Sequence, residues 1–273
     1  MKSADLHIHT YYSDSSLSPK EVVEEASQRH LDCIAITDHD TIDGISPARE
    51  AALGYGIEVL AGIEFSSQIH GKDVHILGYL FDHADPEITK MIGLIQNSRI
   101  DRMRAMIGKL NDLGINNIDF EEVQVLVNSK SIGRPHLATV LMQKGWVRSR
   151  QEAFDKYLAD GAPACVQNVY QSPAEAVELI KNAGGVAVLA HPMITKIDEL
   201  IPELVRKGLD GLEAAYPNAS RSIADFYKNL ARKYDLIITG GSDSHGNIKR
   251  NTWIGKMTVD YEIVEQLKQK AIK

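Results

Sequence analysis

Histidines and acidic residues recur together at the ends of short apolar segments, and this pattern constrains the fold more than any other feature of the chain. Six of the ten histidines lie beside small, acidic or glycine residues, between residues 5 and 245. A cluster of metal ions takes its ligands from several strands, which are distant in sequence and close in space. The pattern therefore predicts a multinuclear metal centre where several strands end. The segments that carry it are residues 5–9, 37–40, 64, 75–78, 190–192 and 242–245.

Short apolar segments alternate with amphipathic segments along most of the chain. A helix is predicted at residues 19–29, because Ser18 suits an N-cap and Pro19 suits the first helical position. Strand–helix repetition predicts parallel strands joined by crossover helices. In such α/β barrels the active site lies at the carboxyl ends of the strands, where the histidines occur here. Strands are predicted at residues 4–9, 33–37, 57–65, 73–80, 185–190, 211–215 and 236–239.

Residues 84–164 interrupt this alternation. They contain helical patterns at residues 86–113 and again near residues 121, 137 and 153, without a convincing strand. We expect a helical insertion at residues 84–164 that covers the substrate, and a catalytic barrel formed by residues 1–83 and 165–273. The segment Gly133-Arg134-Pro135-His136 stands at the start of a predicted helix within the insertion.

Charge and hydropathy exclude several classes of protein. The chain has 30 basic and 37 acidic residues, a net charge of −7, whereas proteins that bind long nucleic acids nonspecifically carry a basic excess. A small or short substrate is therefore expected, rather than a long duplex. No segment reaches the ~20 apolar residues of a membrane span. The N-terminus has no signal-peptide pattern, and Cys33 and Cys165 form no CxxC pair, so we expect a reducing cytoplasm.

One His/His pair and one Asp/His pair have the spacing of metal ligands on a strand. His7 and His9 lie on the same face of a strand, because side chains repeat every two residues, although a hydrogen-bonded histidine pair in a core is an alternative. Asp243 and His245 repeat this spacing. Asp14 lies in the loop after the first strand, where it is either a ligand or a turn residue. Three more histidines follow or occupy apolar segments, which makes chance a poor explanation: His39, His75 and His191.

These motifs resemble those of the PHP (polymerase and histidinol phosphatase) superfamily of metal-dependent phosphoesterases. The resemblance implies a distorted seven-stranded (β/α) barrel with up to three metal ions. The GRPH segment resembles the branch that acts on nucleoside 3′,5′-bisphosphates and on the 5′ ends of short RNAs. The matching motifs cover residues 4–80 and 185–246 in the order of the family: DLHIHTYYSDSSLSP, ITDHDTIDG, GIEFS, VHILGY, VLAHP and GSDSHG.

The resemblance also implies a set of metal ligands. The first ion would be held by His7, His9, Glu64 and Asp243. Glu64 would bridge to a second ion, held with His75 and His191. The third ion would be held by Asp14, His39 and His245. Some relatives carry histidine at the position of Asp14, and an oxygen ligand there favours Mn²⁺ or Fe²⁺ over Zn²⁺. We therefore expect two to three divalent ions, with Mn²⁺ first among them.

Such a site would remain strongly cationic, which suits a phosphate dianion better than a neutral amide or sugar. We expect hydrolysis by a metal-bridging hydroxide held by the metal ligands, because paired ions lower the pKa of water and neutralise the phosphoryl oxygens. No Ser, Cys or Asp stands in a nucleophile motif, so no covalent phosphoenzyme is expected.

Arg134 and His136 are the candidate substrate-binding residues. On sequence alone, the GRPH segment could simply begin a helix, with Arg134 paired to a surface carboxylate. In the branch that the segment resembles, it holds a substrate phosphate, and a planar guanidinium matches phosphate in a bidentate manner. Five other residues have open alternatives. Asp38 and Asp40 either orient His39 or are turn residues, and Glu213 either lines the site or faces solvent. Lys249 and Arg250 either steer phosphate or form a solvated basic pair.

The leading hypothesis is removal of the 3′-phosphate from a nucleoside 3′,5′-bisphosphate, with Arg134 and His136 on the other phosphate. Stepwise 5′–3′ exonuclease action on short oligonucleotides would use the same site. Histidinol-phosphate phosphatase is a further alternative, although a small monophosphate does not need a second phosphate clamp. A non-catalytic scaffold and a metal-dependent amidohydrolase are the alternatives from other classes.

Overall fold

A single mixed sheet organises the protein, as seen in a computed structural model that describes residues 2–167, 171–248 and 253–271. Its strands within these ranges are β1 (Ser3–Ile8), β2 (Cys33–Ile36), β3 (Glu58–Ile69), β4 (Lys72–Tyr79), β5 (Val186–Leu189), β6 (Gly211–Ala215), β7 (Ile237–Gly240) and β8 (Val259–Asp260). They are ordered β7-β6-β5-β4-β3-β2-β1-β8. Lys249 and Arg250 lie outside the described residues.

The segment after β7 pairs with β1 and nearly closes the sheet into a barrel. The His9 N–H donates to the Ser244 carbonyl at 3.0 Å, and the Asp243 N–H donates to the His7 carbonyl at 2.8 Å. Gly241 permits this approach, because a Cβ at position 241 would lie 2.4 Å from the backbone nitrogen of His7. The predicted seven-stranded α/β barrel is thereby confirmed, with the two-residue β8 added beside β1.

Helices surround the barrel, and none among the described residues is long and apolar enough to cross a bilayer. The first begins as predicted: the Ser18 hydroxyl accepts from the Glu21 N–H at 3.2 Å, and the Glu21 carboxylate accepts from the Ser18 N–H at 2.8 Å. The helices are α1 (Pro19–Gln28), α2 (Ile45–Ala52), α3 (Pro86–Asp112), α4 (Phe120–Gln124), α5 (Arg134–Gln143), α6 (Arg150–Ala153), α7 (Pro173–Asn182), α8 (Pro192–Thr195), α9 (Ile201–Arg206), α10 (Arg221–Lys233) and α11 (Tyr261–Ala271).

The expectation that all strands run parallel is wrong. Strand β4 runs antiparallel to both of its neighbours, β3 and β5. Only two residues join β3 to β4, His70 and Gly71, and both have positive φ, at 50° and 75°. A two-residue connection of this kind forms a hairpin, whereas parallel strands need a long crossover. The parallel pairs are β1–β2, β2–β3, β5–β6 and β6–β7.

Between β4 and α7, the described residues form helices α3 to α6 and a π-helical turn at Phe154–Leu158, without a strand. Side chains from the C-terminal part of α3 and from α4 to α6 pack in one apolar cluster, which includes Met103, Leu110, Leu137 and Leu141. A different cluster joins the N-terminal part of α3 and helices α7, α9 and α10 to the sheet. The helical content agrees with the sequence pattern, while the division into two domains stays a prediction.

Candidate metal centre

The nine predicted ligands converge on one end of the barrel. His7 lies in β1 and His9 directly after it, His39 follows β2, Glu64 lies in β3, His75 lies in β4, and His191 follows β5. Asp14 comes from the loop between β1 and α1, and Asp243 and His245 come from the segment after β7. Three groups of side chains present ligand atoms within 4.8 Å of one another: His9, Asp14, His39 and His245; His7, His9 and Asp243; and His39, Glu64 and His75.

Glu64 lies at the centre of this arrangement and is fully buried. Its Oε1 lies 2.8 Å from His75 Nδ1 and 3.0 Å from His191 Nε2. Its Oε2 lies 3.2 to 3.3 Å from ring nitrogens of three more histidines: His7, His9 and His39. One carboxylate therefore faces five imidazoles from four strands or strand ends, which is the position that a bridging ligand needs.

The other two predicted carboxylate ligands, Asp243 and Asp14, lie near opposite nitrogens of the His9 ring. Asp243 Oδ1 lies 3.3 Å from His9 Nε2 and 3.6 Å from His7 Nε2. Asp14 Oδ1 lies 3.2 Å from His245 Nε2 and 3.7 Å from His9 Nδ1. His245 donates its Nδ1 proton to the Asp243 carbonyl at 2.9 Å, which leaves its Nε2 directed at Asp14. His9 is thus shared by both halves of the cluster.

Several buried atoms of the cluster have no hydrogen-bond partner among the described residues. They include His9 Nε2, His39 Nδ1 and Asp14 Oδ1. Buried polar atoms are normally hydrogen-bonded. His9 Nε2 and His39 Nδ1 lie 3.2 and 3.3 Å from Glu64 Oε2, yet neither forms a hydrogen bond with it. Nitrogen and oxygen atoms that converge in this way suit shared ions, and imidazole with carboxylate suits Mn²⁺, Fe²⁺ or Zn²⁺. The residues present therefore fit a divalent metal cluster.

The carboxylates of the cluster outweigh burial and raise the pKa of His7, His9 and His75, whereas burial dominates at His39 and lowers its pKa. Burial lowers the pKa of His9, but the carboxylates of Asp243, Glu64 and Asp14 outweigh burial and raise it to about 10. Burial raises the pKa of Glu64, but the surrounding imidazoles, with His39 first, bring it well below its usual value. Because a ligating imidazole must be neutral, metal ions and protons compete for the same nitrogens.

Asp38 holds the loop that carries Asp14. Its Oδ1 accepts from the Thr10 N–H at 2.6 Å and from the Ser13 hydroxyl at 2.6 Å, and its Oδ2 accepts from the Thr10 hydroxyl at 2.7 Å. Asp38 is fully buried, so it cannot be a surface turn residue. The sequence offers Asp38 as an acceptor that orients His39 or as a turn residue, and its carboxylate instead binds Thr10 and Ser13.

Arg99 was not anticipated as a residue of the site. From α3 it reaches the carboxylate of Asp40, with Nε and a terminal nitrogen 2.8 and 2.5 Å from Oδ2, and it also donates to Ser66 Oγ at 2.7 Å. Asp40 follows His39, so the pair connects the helical segment to a predicted ligand. The sequence did contain a signal, because Arg99 continues the buried stripe of α3 four residues after Ile95.

A cavity of about 160 Å³ adjoins the cluster. Asp14, His39 and His75 line one side of it, and the helical segment lines the other. Three arginines contribute to the lining: Arg99, Arg102 and Arg134. An anion inside this cavity would therefore lie between the predicted metal ligands and a group of guanidinium ions.

Arg134 lines the cavity, whereas His136 does not. Arg134 donates to Asp160 at 2.7 Å, to Asp73 at 2.9 Å and to the Leu158 carbonyl at 3.1 Å. His136 is 5% exposed, and its Nδ1 accepts from the Gly133 N–H at 3.0 Å. Burial lowers the pKa of His136. The substrate-binding role of both residues stays a prediction.

The sequence is similar to several characterised phosphoesterases. It is 35% identical over 252 residues to a 3′,5′-nucleoside bisphosphate phosphatase of Chromobacterium violaceum, covering 90% of this chain and 88% of that one. It is 34% identical over 249 residues to a 5′-3′ exoribonuclease of Haemophilus influenzae, covering 89% and 90%. A phosphoribosyl 1,2-cyclic phosphate 1,2-diphosphodiesterase of Eggerthella lenta is 32% identical over 257 residues, covering 92% and 97%.

The fold agrees with these similarities. A crystal structure of a metal-dependent phosphoesterase from Bifidobacterium adolescentis superimposes with a TM-score of 0.91 at 30% identity, covering 98% of this chain and 96% of that one. The model of the PHP domain family matches residues 5–238, which include every predicted ligand except Asp243 and His245. The chain therefore belongs to the PHP domain family.

Proposed function

We propose that the protein is a metal-dependent phosphoesterase that removes the 3′-phosphate from nucleoside 3′,5′-bisphosphates. The observation that carries this proposal is the position of the arginine-lined cavity beside the ligand cluster. A substrate with two phosphates would place one against the cluster and the other against the arginines, since guanidinium ions bind phosphate with paired hydrogen bonds. Family membership and the Chromobacterium relative support the same reaction.

The predicted ligand set would hold two to three divalent ions, with Mn²⁺ first among them. Such ions lower the pKa of water and neutralise the phosphoryl oxygens, which is the chemistry that phosphoester hydrolysis needs. Glu64 would hold two of them together, because its oxygens face histidines on both sides. Asp14 supplies the oxygen ligand that favours Mn²⁺ or Fe²⁺ over Zn²⁺ at the third position.

The serines of the cavity support a reaction without a covalent intermediate. The Ser67 hydroxyl donates to the Val74 carbonyl at 2.6 Å, and the Ser131 hydroxyl donates to the His39 carbonyl. Ser66 Oγ accepts from Arg99. No histidine ring nitrogen among the described residues is the hydrogen-bond partner of any of these three hydroxyls, so none is arranged as an activated nucleophile.

The proposed substrate-binding residues are Arg134 and His136. Arg134 lines the cavity and is paired with Asp73 and Asp160. A phosphate dianion would therefore compete with these carboxylates for the N–H donors of its guanidinium group. His136 would act from behind, through the Gly133 backbone at the start of α5. Residues 84–164 would then cover the substrate as a helical insertion on the barrel formed by residues 1–83 and 165–273.

The first alternative substrate is a short oligonucleotide with a 5′-phosphate. The similarity to the Haemophilus 5′-3′ exoribonuclease supports this alternative. It would enter the same cavity with its terminal phosphate at the arginines. Histidinol phosphate is a weaker candidate, because it has a single phosphate and would place no second phosphate at the arginines.

The test is product formation by the Mn²⁺-loaded protein from four substrates at equal concentration. Inorganic phosphate is measured for adenosine 3′,5′-bisphosphate and histidinol phosphate, mononucleotides for a short 5′-phosphorylated oligoribonucleotide, and the ring-opened phosphomonoester for a ribose cyclic phosphodiester. A kcat/KM at least tenfold higher for the bisphosphate is expected. A preference for any of the others would replace the proposed substrate.

A variant tests the role of Arg134. Arg134→Ala should raise KM for the bisphosphate about 10- to 150-fold with a smaller change in kcat, because a charge-assisted hydrogen bond contributes about 1.5–3 kcal/mol. Arg104→Ala is the matched control, since Arg104 is 60% exposed on α3 and does not line the cavity. An unchanged KM in Arg134→Ala would return this residue to a structural role.

A further inference from the structure

Strand β6 provides none of the nine predicted metal ligands, yet it carries a carboxylate next to two of them. Glu213 is fully buried. Its Oε1 lies 2.9 Å from His7 Nδ1, and its Oε2 accepts from the His191 backbone N–H at 2.8 Å. His7 comes from β1 and His191 from the end of β5, so Glu213 contacts ligands on two different strands. The sequence left open whether this residue lines the site or faces solvent, and the structure shows that it lies behind the ligands.

The contact with His7 determines which ring nitrogen is free to bind a metal. An ionised carboxylate only accepts hydrogen bonds, so His7 must carry a proton on Nδ1 to make this contact. Its Nε2 then faces the cluster, 3.2 Å from Glu64 Oε2 and 3.6 Å from Asp243 Oδ1. A carboxylate on the far nitrogen of a ligating histidine fixes the orientation of the ring and raises its basicity.

The contact with His191 supports an unusual backbone conformation. His191 has φ 28° and ψ 57°, in the left-handed region that residues other than glycine rarely adopt. Such a conformation persists only where surrounding contacts hold it. The hydrogen bond from its N–H to Glu213 is such a contact, and His191 Nε2 then reaches Glu64 Oε1 at 3.0 Å.

We propose that Glu213 is a positioning residue that prepares His7 and His191 for metal binding. This inference rests on the proposed metal-dependent function, and it concerns a residue that is not itself a ligand. Both oxygens of Glu213 are occupied by protein groups, and it belongs to none of the three groups of converging ligand atoms found in the described part of the chain. Tyr216, at the end of the same strand, makes a similar contact: its hydroxyl donates to Asp243 Oδ2 at 2.6 Å.

Glu213→Gln is the decisive variant, because it keeps the size of the side chain and removes the charge that selects the Nδ1–H form of His7. The matched control is Asp210→Asn. Asp210 is 5% exposed, precedes β6 and accepts from the Ala187 backbone N–H on β5 at 3.1 Å, but it contacts no histidine. Both variants therefore remove a buried charge that accepts from a backbone N–H in β5 or directly after it, and the partner that differs is Lys181, 2.7 Å from Asp210, in place of His7.

The measurement is calorimetric titration of metal-free protein with Mn²⁺ and, separately, with Zn²⁺. In Glu213→Gln, the dissociation constant should rise about 10- to 100-fold, and in Asp210→Asn it should stay within twofold of the unchanged protein. An affinity within twofold in Glu213→Gln would overturn the proposal, as would an equal loss in both variants. Absence of metal binding by the unchanged protein would overturn both this proposal and the proposed function.

A second measurement does not depend on a variant that folds. Long-range ¹H–¹⁵N spectra of the Zn²⁺-loaded protein should show His7 as the Nδ1–H tautomer, and an Nε2–H tautomer would contradict the proposal. Metal binding and tautomer are both read without a substrate. If the protein binds metal with these properties and hydrolyses none of the phosphoesters, the proposed function fails while the role of Glu213 stands.

Discussion

Removal of one partner of the ion pair between Arg99 and Asp40 should lower the free energy of unfolding by several kcal/mol. Asp40 is fully buried and the Arg99 side chain is 9% exposed, so water screens the pair little. Replacement of Arg99 by Met removes the cation and leaves the carboxylate buried. Loss of one partner of a buried pair costs about 3–5 kcal/mol. Asp40 keeps a hydrogen bond from the Ser66 N–H at 2.8 Å, so we expect a loss of about 3 kcal/mol, at the lower end of this range.

Urea unfolding in one metal-saturated buffer measures this loss for Arg99→Met, Asp40→Asn and the double variant. Because each single variant leaves a buried polar group without its partner, the double variant should lose less than the sum of the two. We expect a coupling free energy of about 2–3 kcal/mol, at the upper end of that between contacting residues. Arg104→Met on the exposed side of α3 is the control, and its change should stay within about 0.5 kcal/mol.

The reasoning is refuted if Arg99→Met loses less than 1 kcal/mol, or if the two single losses add up to the double loss. Either result would mean that the carboxylate of Asp40 is stabilised without Arg99. The helical segment and the loop of His39 would then be joined by the apolar contacts between them rather than by this pair.

Three further predictions concern the metal centre and the closure of the barrel. Asp243→Ala should abolish turnover, and a variant that keeps most of its kcat would contradict the ligand assignment. In EDTA, the melting temperature should fall as pH rises from 6.5 to 9, because His9 keeps a proton up to about pH 10 when folded and the unfolded chain does not. The free energy of unfolding should fall by at most about 1.4 kcal/mol per pH unit for each such proton. A melting temperature that rises with pH would contradict this prediction. Gly241→Ala should lose about 1–3 kcal/mol in urea because its Cβ would collide with His7, whereas Gly108→Ala, in open space on α3, should gain up to about 1 kcal/mol.

The sequence predicted the barrel and the cluster because both depend on short-range patterns. Two-residue spacing places His7 and His9 on one face, and apolar segments that end in a histidine identify the ends of strands. The direction of β4 was missed, since it depends on the tight turn at His70 and Gly71 rather than on the apolar pattern.

Side-chain partners that are distant in sequence could not be predicted in the same way. Arg134 pairs with Asp73 from β4 and with Asp160 beyond α6, and neither partner follows from periodicity. Glu213 reads as an ordinary polar residue on a strand until its neighbours from β1 and β5 are known. Arg99 is the exception, because a cation in an apolar helical stripe signals a buried partner even when that partner cannot be named.

The seam between β1 and the segment after β7 has a consequence for how the barrel opens. Predicted ligands lie on both sides of it, with His7 and His9 on one and Asp243 and His245 on the other, only a few residues from its hydrogen bonds. An ion held from both sides would prevent the strands from separating while it stays bound. The amide protons of His9 and Asp243 would then exchange with deuterated water only as often as the ion leaves, so hydrogen exchange at two backbone positions would report the lifetime of the metal in the site.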